Sequence, residues 1–166
     1  PYVLRTPVRL TSGVRLYSME AYEFIDGHER IVAHFGFWPS FHDAEVFKLV
    51  LERSNVKPKT QIDPVLELHL RGWVLTSEIA PAGHYTQQGD ALFHFRFEGV
   101  RDLQIEGFNG QNVLTALNLE LATSPDKPGK NVLKVELEHC FEFEASFTAE
   151  RARLISITPY ANQVSV

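Results

Sequence analysis

The stretch Phe93-His94-Phe95-Arg96-Phe97-Glu98 decides the fold, because apolar rings alternate with polar side chains along it. A period of two is the pattern of a β-strand with one buried face and one solvated face. The stretch therefore predicts a strand that turns three phenylalanines toward the core and three polar side chains outward.

The same alternation recurs on both sides of this strand. The predicted inward-facing sets are Phe47, Leu49 and Leu51; Leu66, Leu68, Leu70 and Val74; Leu103 and Ile105; Leu117, Leu119 and Leu121; Leu133, Val135 and Leu137; Phe141, Phe143 and Phe147; and a last strand from Leu154 to Ile157. The content of Gly, Pro and polar residues predicts a long loop over residues 80–90 and a turn over 124–129. Regularly spaced strands with short connections predict a mainly β fold, an antiparallel β-sandwich or open barrel of about seven to eight strands.

One short N-terminal helix precedes these strands. Asp26 followed by Glu29 matches a capping box, and Gly36 supplies a left-handed stop. The alternative is that Asp26-Gly27 forms a hairpin turn between two strands. The helix is favoured because the segment that follows does not alternate.

The chain of 166 residues is long enough for one domain that buries roughly 70% of its unfolded surface. We expect residues 1–18 to form an N-terminal extension or loose arm, and residues 19–166 a single β-rich domain. Met19 is the only methionine and the chain opens on Pro1. Either the natural chain is longer, or Met19 is its natural start, which is the interpretation we favour.

The formal net charge of -5 limits the kinds of partner that the protein is expected to bind. An acidic balance argues against nucleic acid as a direct partner, and it is compatible both with a basic protein partner and with ordinary solubility. Cys140 is the only cysteine, so no intramolecular disulfide can form, and no apolar stretch approaches the roughly 20 residues that cross a membrane. These features predict a cytoplasmic protein without a membrane partner.

Two groups of polar residues could in principle carry chemistry. His42 beside Asp43 and Glu45 could act as a general base or metal ligand, but His42 points away from the two carboxylates on a strand. His69 and His94 could meet across neighbouring strands to bind a metal, but no cysteine or tight histidine spacing supports such a site. We expect the first group to bond to the backbone and the two histidines to face solvent, with no metal bound.

Catalytic motifs give no further candidate. The chain has no Gly-x-Ser-x-Gly elbow, phosphate-binding loop or dinucleotide fingerprint, and Cys140 has no basic neighbour that would ionise its thiol. His139 falls on the apolar side of its strand, where a hydrogen-bonded core or strand-bulge histidine is expected. We predict no catalytic residue and no cofactor.

Partner binding has better candidates. The outward-facing carboxylates Glu136, Glu138, Glu142 and Glu144 form an acidic set that could receive a basic partner, although such a set can also be a solvated face. Trp73 faces outward and is the best single anchor for an interface, because large aromatic residues are over-represented at hot spots. The alternative is that the loop over residues 80–90 covers it.

Two runs carry a resemblance to a known family. They are Phe35-Gly36-x-Trp38-Pro39-Ser40-Phe41-His42-Asp43-Ala44-Glu45-Val46 and Gly107-Phe108-Asn109-x-Gln111-Asn112-Val113. Together they resemble the Immunity protein 50 family, small and mostly β proteins encoded in bacterial polymorphic toxin loci. The resemblance extends from about Met19 to the C-terminus.

The resemblance implies a protein that binds a cognate toxin and blocks it, rather than an enzyme. Interfaces in such families diversify, so we expect the two runs to maintain the fold, with residues 107–113 forming a scaffolding corner and Trp38, Phe41 and His42 largely buried. The positions concerned are Gly36, Trp38, Pro39, Phe41, His42, Asp43, Glu45, Phe108, Asn109, Gln111 and Asn112.

Two other functions stay open from the residues alone. The first is a small-molecule or metal-binding β-barrel domain, or a hydrolase, with His42, Asp43 and Glu45 at its mouth. The second is a structural module that oligomerises through an exposed strand edge. The oligomeric state, the toxin and its chemistry are left open.

Overall fold

A computed structural model describes residues 8–9, 15–16, 19–53, 63–79, 83 and 85–160, and the secondary structure lies within them. The elements are β1 (Val8–Arg9), β2 (Arg15–Leu16), a 3₁₀ turn (Ala21–Phe24), β3 (Ile25–Asp26), α1 (His28–Phe35), β4 (Glu45–Arg53), β5 (Pro64–Ile79), β6 (Tyr85–Glu98), β7 (Arg101–Glu106), β8 (Leu114–Thr123), β9 (Asn131–His139), β10 (Glu144–Ala149) and β11 (Arg151–Pro159). In the part of the chain described, no helix combines the length and apolar character needed to span a membrane.

Two main sheets hold nine of these strands. A four-stranded sheet has the order β7-β10-β9-β8, and a five-stranded sheet has the order β3-β11-β6-β5-β4. The predicted mainly β sandwich with one α-helix is confirmed, and the eight predicted strands correspond to β4 through β11. The ninth strand, β3, pairs parallel with β11. Short connections exclude parallel pairing only between strands that are close in sequence, and most of the chain lies between β3 and β11.

The core lies between the inner faces of the two sheets. Phe93, Phe95 and Phe97 of β6 are fully buried, as their alternation predicts. The ring of Phe97 contacts that of Phe147 on β10, with centroids 5.0 Å apart, which joins the two layers. Burial of apolar surface of this kind stabilises the fold by about 25 cal/mol per Å². The aliphatic residues around the rings, all fully or almost fully buried, include Leu66, Leu68, Leu70, Leu117, Leu133, Val135, Leu137 and Leu154.

The predicted loop over residues 80–90 is wrong for its second half. Residues 85–90 are strand, and β5 and β6 form one long hairpin whose pairing extends to Ile79 and Tyr85. The outer part of the hairpin has irregular register, and both Ile79 and Tyr85 are exposed. It reaches beyond the core, so its side chains need not alternate, and the sequence there resembles a loop. Residues 80–82 and 84 lie outside the described part of the chain.

Three predicted core residues are exposed instead. Phe47 is 40% exposed because the register of β4 against β5 shifts between Val46 and Lys48, which places Val46 inward. Leu51, 55% exposed, lies near the end of the same strand. Phe141, 54% exposed, falls in the turn between β9 and β10, where alternation has stopped.

The predicted helix is confirmed as α1, but its capping box is wrong. Asp26 belongs to β3, and the residue that caps the helix N-terminus is Gly27, without a side-chain hydrogen bond. Gly36 ends the helix as predicted, with φ of 84° and its N–H donated to the carbonyl of Val32. α1 packs Phe35 against Phe93, with ring centroids 5.6 Å apart, at one end of the core.

Candidate functional site

The two runs that resemble the family signature contact each other in the folded protein. The N–H of Asp43 donates to the carbonyl of Leu114 at 3.0 Å, and the N–H of Leu114 donates to the carbonyl of Ala44 at 2.8 Å. The N–H of Val46 donates to the carbonyl of Asn112 at 2.9 Å. These bonds join the start of β4 in one sheet to the start of β8 in the other, so the runs form a corner between the two layers.

Asn112 holds this corner from the inside. Its side chain is buried, and its amide donates to the carbonyls of Asn109 at 2.9 Å and Val46 at 3.3 Å. Its side-chain oxygen accepts the N–H of Asn109 at 2.8 Å. These bonds use both N–H donors of the amide and one acceptor position of its oxygen in holding the corner.

We expect Asn112→Ala to lower the free energy of unfolding by about 1–3 kcal/mol, because it leaves buried backbone groups without partners. Urea denaturation followed by circular dichroism measures this. The control is Gln111→Ala, since Gln111 is exposed beside it, and its effect should lie within about 0.5 kcal/mol. Equal effects of the two substitutions would show that the Asn112 bonds do not hold the corner.

Phe41 and His42 turn in opposite directions at the corner. Phe41 has φ of 59°, a left-handed conformation that is rare for a bulky residue, and its ring is 1% exposed against Phe93 and Phe95. The same turn directs His42 outward, so the prediction that His42 is buried is wrong: its side chain is 61% exposed. Trp38 is partly buried against the core, and its ring stacks on that of Tyr22 with centroids 5.0 Å apart.

The proposed active-site group does not assemble into a pocket. His42 Nε2 lies 3.6 Å from Asp43 Oδ1, while His42 Nδ1 is 2.9 Å from the carbonyl oxygen of Thr115. Glu45 continues into β4, where its backbone bridges to Val113. The two depressions on the outer face of the four-stranded sheet are lined by other side chains, and none of these three residues lines either of them.

The outer face of the four-stranded sheet carries the most distinctive surface. We call it the acidic face, and it consists of Asp102, Gln104, Glu106, Asn118, Glu120, Lys134, Glu136, Glu138, Glu144, Ser146 and Thr148. It holds six carboxylates and one lysine. Lys134 pairs with Glu120 at 3.2 Å, and Asn118 donates to Glu138 at 2.9 Å. The remaining negative charge is directed to solvent.

The acidic face is concave because its centre is made of short side chains. Ser146 lies on β10 between Gln104 of β7 and Glu136 of β9, the residues directly opposite it. The longer neighbours rise around it and enclose two adjoining depressions of about 420 and 330 Å³. A shallow hollow on a sheet, rimmed by carboxylates, suits the cationic surface of another protein better than an apolar ligand.

Like charges face each other directly across this sheet, since Glu106 of β7 is paired with Glu144 of β10. An opposite-charge pair in this position stabilises a sheet by about 0.2–1 kcal/mol, and we expect a like-charge pair to destabilise it by a similar amount. We expect Glu106→Gln to raise the free energy of unfolding by that amount at low salt. The gain should be smaller in 1 M NaCl, where the Debye length is roughly 3 Å and the repulsion is screened.

The control for this prediction is Glu52→Gln. Glu52 is also exposed on a strand, but it faces Val65 across the sheet and should show neither the gain nor its salt dependence. Urea titrations of both variants at two salt concentrations make the comparison. If Glu106→Gln destabilises at low salt, the Glu106–Glu144 pair is not repulsive.

The structure separates the predicted partner-binding residues into three places. Glu136, Glu138 and Glu144 lie together on the acidic face. Glu142 lies in the β9–β10 turn, with its carboxylate 3.5 Å from the side-chain nitrogen of Asn109. Trp73 is half-buried on β5, in the other sheet, under the guanidinium of Arg71 at 5.1 Å from its ring.

Sequence reasoning missed the carboxylates that β7 and β8 bring to the acidic face. These are Asp102, Glu106 and Glu120. Their signal was present, because each is next to an inward residue: Asp102 precedes Leu103, Glu106 follows Ile105, and Glu120 lies between Leu119 and Leu121. Only the strand order β7-β10-β9-β8 shows that they share a face with Glu136, and the sequence pattern does not reveal that order.

The histidines depart from their predictions in two ways. Of its two predicted positions, His139 is not in the core, since its side chain is 54% exposed, but it lies at the end of β9 where the register against β8 shifts. Its ring Nδ1 is 3.2 Å from the carbonyl oxygen of Phe141. His69 and His94 lie on the outer face of the five-stranded sheet, as expected. They are half-buried rather than open to solvent, and their rings stack with centroids 4.1 Å apart.

Comparison with known proteins gives one family. The family model described as Immunity protein 50 matches residues 27–160, a range that contains both signature runs and every strand from β4 to β11. No significant match was found among the curated proteins or the solved structures.

Proposed function

This chain belongs to the Immunity protein 50 family, and from that premise we propose that it binds a cognate bacterial toxin domain and neutralises it by steric and electrostatic blocking, without catalysis of its own. The observation that carries the proposal is the acidic face, with six carboxylates against one lysine around a shallow hollow. Its partner is a toxin domain whose own binding surface is basic.

Electrostatic complementarity would allow this face to bind a basic toxin domain rapidly and selectively. Opposite potentials raise the rate of encounter and suppress wrong partners, because juxtaposed like charges cost several kcal/mol. A predominantly negative face that covers a basic substrate-binding surface competes with an anionic substrate for the same positive charges. The carboxylates of Glu136 and Glu138, both exposed on β9 beside the hollow, are the groups we assign to this contact.

The acidic face is also preformed. Its floor is hydrogen-bonded strand, and Val135, Leu137 and Phe147 anchor its underside in the core. Binding therefore orders few additional groups, which reduces the entropic cost of association. Retaining directly opposed carboxylates at Glu106 and Glu144, which costs stability, fits a surface adapted to a partner rather than to folding alone.

The test is co-expression with the C-terminal domain encoded by the neighbouring open reading frame. We expect the protein to restore growth to cells producing that domain and to co-purify with it. The complex should weaken as NaCl rises from 0.05 to 0.5 M, since screening reduces contacts between exposed charges. An unrelated toxin domain is the control. Failure to restore growth or to co-purify with the neighbouring domain would contradict the proposal.

A further inference from the structure

We propose that Glu67, His69 and His94, brought together on the outer face of the five-stranded sheet, form a binding site for a divalent transition-metal ion such as Zn²⁺. The site lies on the opposite side of the sandwich from the acidic face. The proposal is independent of the toxin-binding function and stands or falls on different residues.

The register of the long hairpin creates the site. His69 of β5 is directly opposite His94 of β6, so their side chains leave the same face of the sheet. Glu67 precedes His69 by two residues and therefore shares that face. One ligand atom from each of the three side chains lies within 4.8 Å of the other two. Two imidazoles and a carboxylate are donors that bind zinc and neighbouring metals of the first transition series.

The distances are close to those a metal ion requires. His94 Nε2 lies 3.2 Å from Glu67 Oε2. Two ligands at about 2.0–2.1 Å from a tetrahedral ion are about 3.4 Å apart, so these two atoms already have the spacing of one tetrahedral edge. His69 has to approach by rotation of its ring, which stacks on that of His94 with an angle of 17° between the planes.

Neighbouring groups prepare the ligands for this role. Arg96 Nη1 donates to Glu67 Oε1 at 2.6 Å and leaves Oε2 directed at His94. Such an outer contact orients a ligating carboxylate. Three protein ligands leave a fourth position for water or for an atom of a bound partner.

The charge around the site is balanced. The charged groups nearest the ligands are the cations Arg96 and Lys48 and the carboxylates Glu67 and Glu98. Arg96 pairs with both carboxylates, and its Nε lies 3.2 Å from Glu98 Oε1. Burial, helped by the charges of His94 and Lys48, lowers the pKa of His69.

The test uses the purified full chain after treatment with EDTA and buffer exchange. We expect ZnCl₂ to bind with a stoichiometry of one ion per chain in calorimetry. CoCl₂ should give the visible absorption bands of a four-coordinate ion. His69→Ala and His94→Ala should each lower the affinity by more than the roughly 10–100-fold that loss of an outer-shell partner costs.

The matched control is His139→Ala, which removes a histidine 3.8 Å from a carboxylate on the other sheet and should leave metal binding unchanged. Circular dichroism of each variant checks folding. Absence of zinc binding by the unaltered protein would overturn the proposal without reference to any variant. Wild-type affinity in the folded His69→Ala and His94→Ala variants would overturn it as well.

Discussion

Replacing Phe95 by alanine is expected to lower the free energy of unfolding by about 3–5 kcal/mol, the range for removing a buried aromatic ring. Phe95 is completely buried in the C-terminal half of β6. Its ring lies 6.3 Å from that of Phe41 and 6.2 Å from that of Phe97, between cross-strand partners Leu68 and Leu154. These neighbours belong to three strands and the signature corner, so the cavity cannot close by moving one side chain.

Urea denaturation measures the effect, and Phe141→Ala is the matched control. Phe141 is 54% exposed in a turn, and its replacement should cost less than about 1 kcal/mol. If Phe95→Ala were no more destabilising than Phe141→Ala, the six-residue alternation that places Phe95 in the core would have been misinterpreted.

The second large effect is expected for Gly107→Ala, with a loss of about 3 kcal/mol or more from strain and overpacking together. Gly107 has φ of 65°, a value that residues other than glycine rarely adopt. A Cβ atom added there would overlap with the carbonyl oxygen of Glu142 and lie 2.6 Å from its carbonyl carbon. The atoms that such a Cβ would meet belong to the backbone of Glu142, so the clash cannot be relieved by rotating a side chain.

Gly110 in the same loop provides the control. A Cβ atom added at Gly110 meets nothing within 4 Å, and its φ is outside the left-handed region. Gly110→Ala should therefore leave stability within about 0.5 kcal/mol of the original, or slightly raise it by restricting the unfolded chain. Thermal unfolding of the two variants side by side distinguishes them. Equal stability would mean that the close approach of Gly107 to Glu142 is not maintained in solution.

The fold could be predicted largely from alternation, because a half-buried strand imposes a period of two on its own residues. The prediction failed where pairing geometry changes without a local sequence signal. The bulge beside Phe47 reverses which face is buried, and the outer half of the β5–β6 hairpin is paired strand that buries little. Such features depend on the neighbouring strand, which a single segment does not specify.

The candidate site could be predicted only in part, for a related reason. Glu136, Glu138 and Glu144 follow from the outward parity of two consecutive strands. The contributions of Glu106 and Glu120 depend on the strand order across the sheet. His69 and Glu67 likewise join His94 only through the hairpin register. Residues that share a strand face are readable from sequence, and residues that share a sheet face require the topology.

The two signature runs illustrate the same limit. Their resemblance to a family identified the fold and the class of function, but nothing in the runs showed that residues 43–46 bond to residues 112–114. That contact explains why the runs are rich in turn-forming and amide residues. It also assigns a structural role to the residues that make these bonds.

The most direct test of the acidic face compares two double charge reversals. Glu136→Lys/Glu138→Lys changes two exposed carboxylates on that face, and Glu52→Lys/Glu78→Lys changes two exposed carboxylates on the other sheet with the same change in net charge. Calorimetric titration with the co-purifying toxin domain should show at least about 100-fold weaker binding for the first variant, since like charges then face each other, and little change for the second. Equal affinities for the two variants, with both folded, would contradict the claim that this face neutralises the toxin.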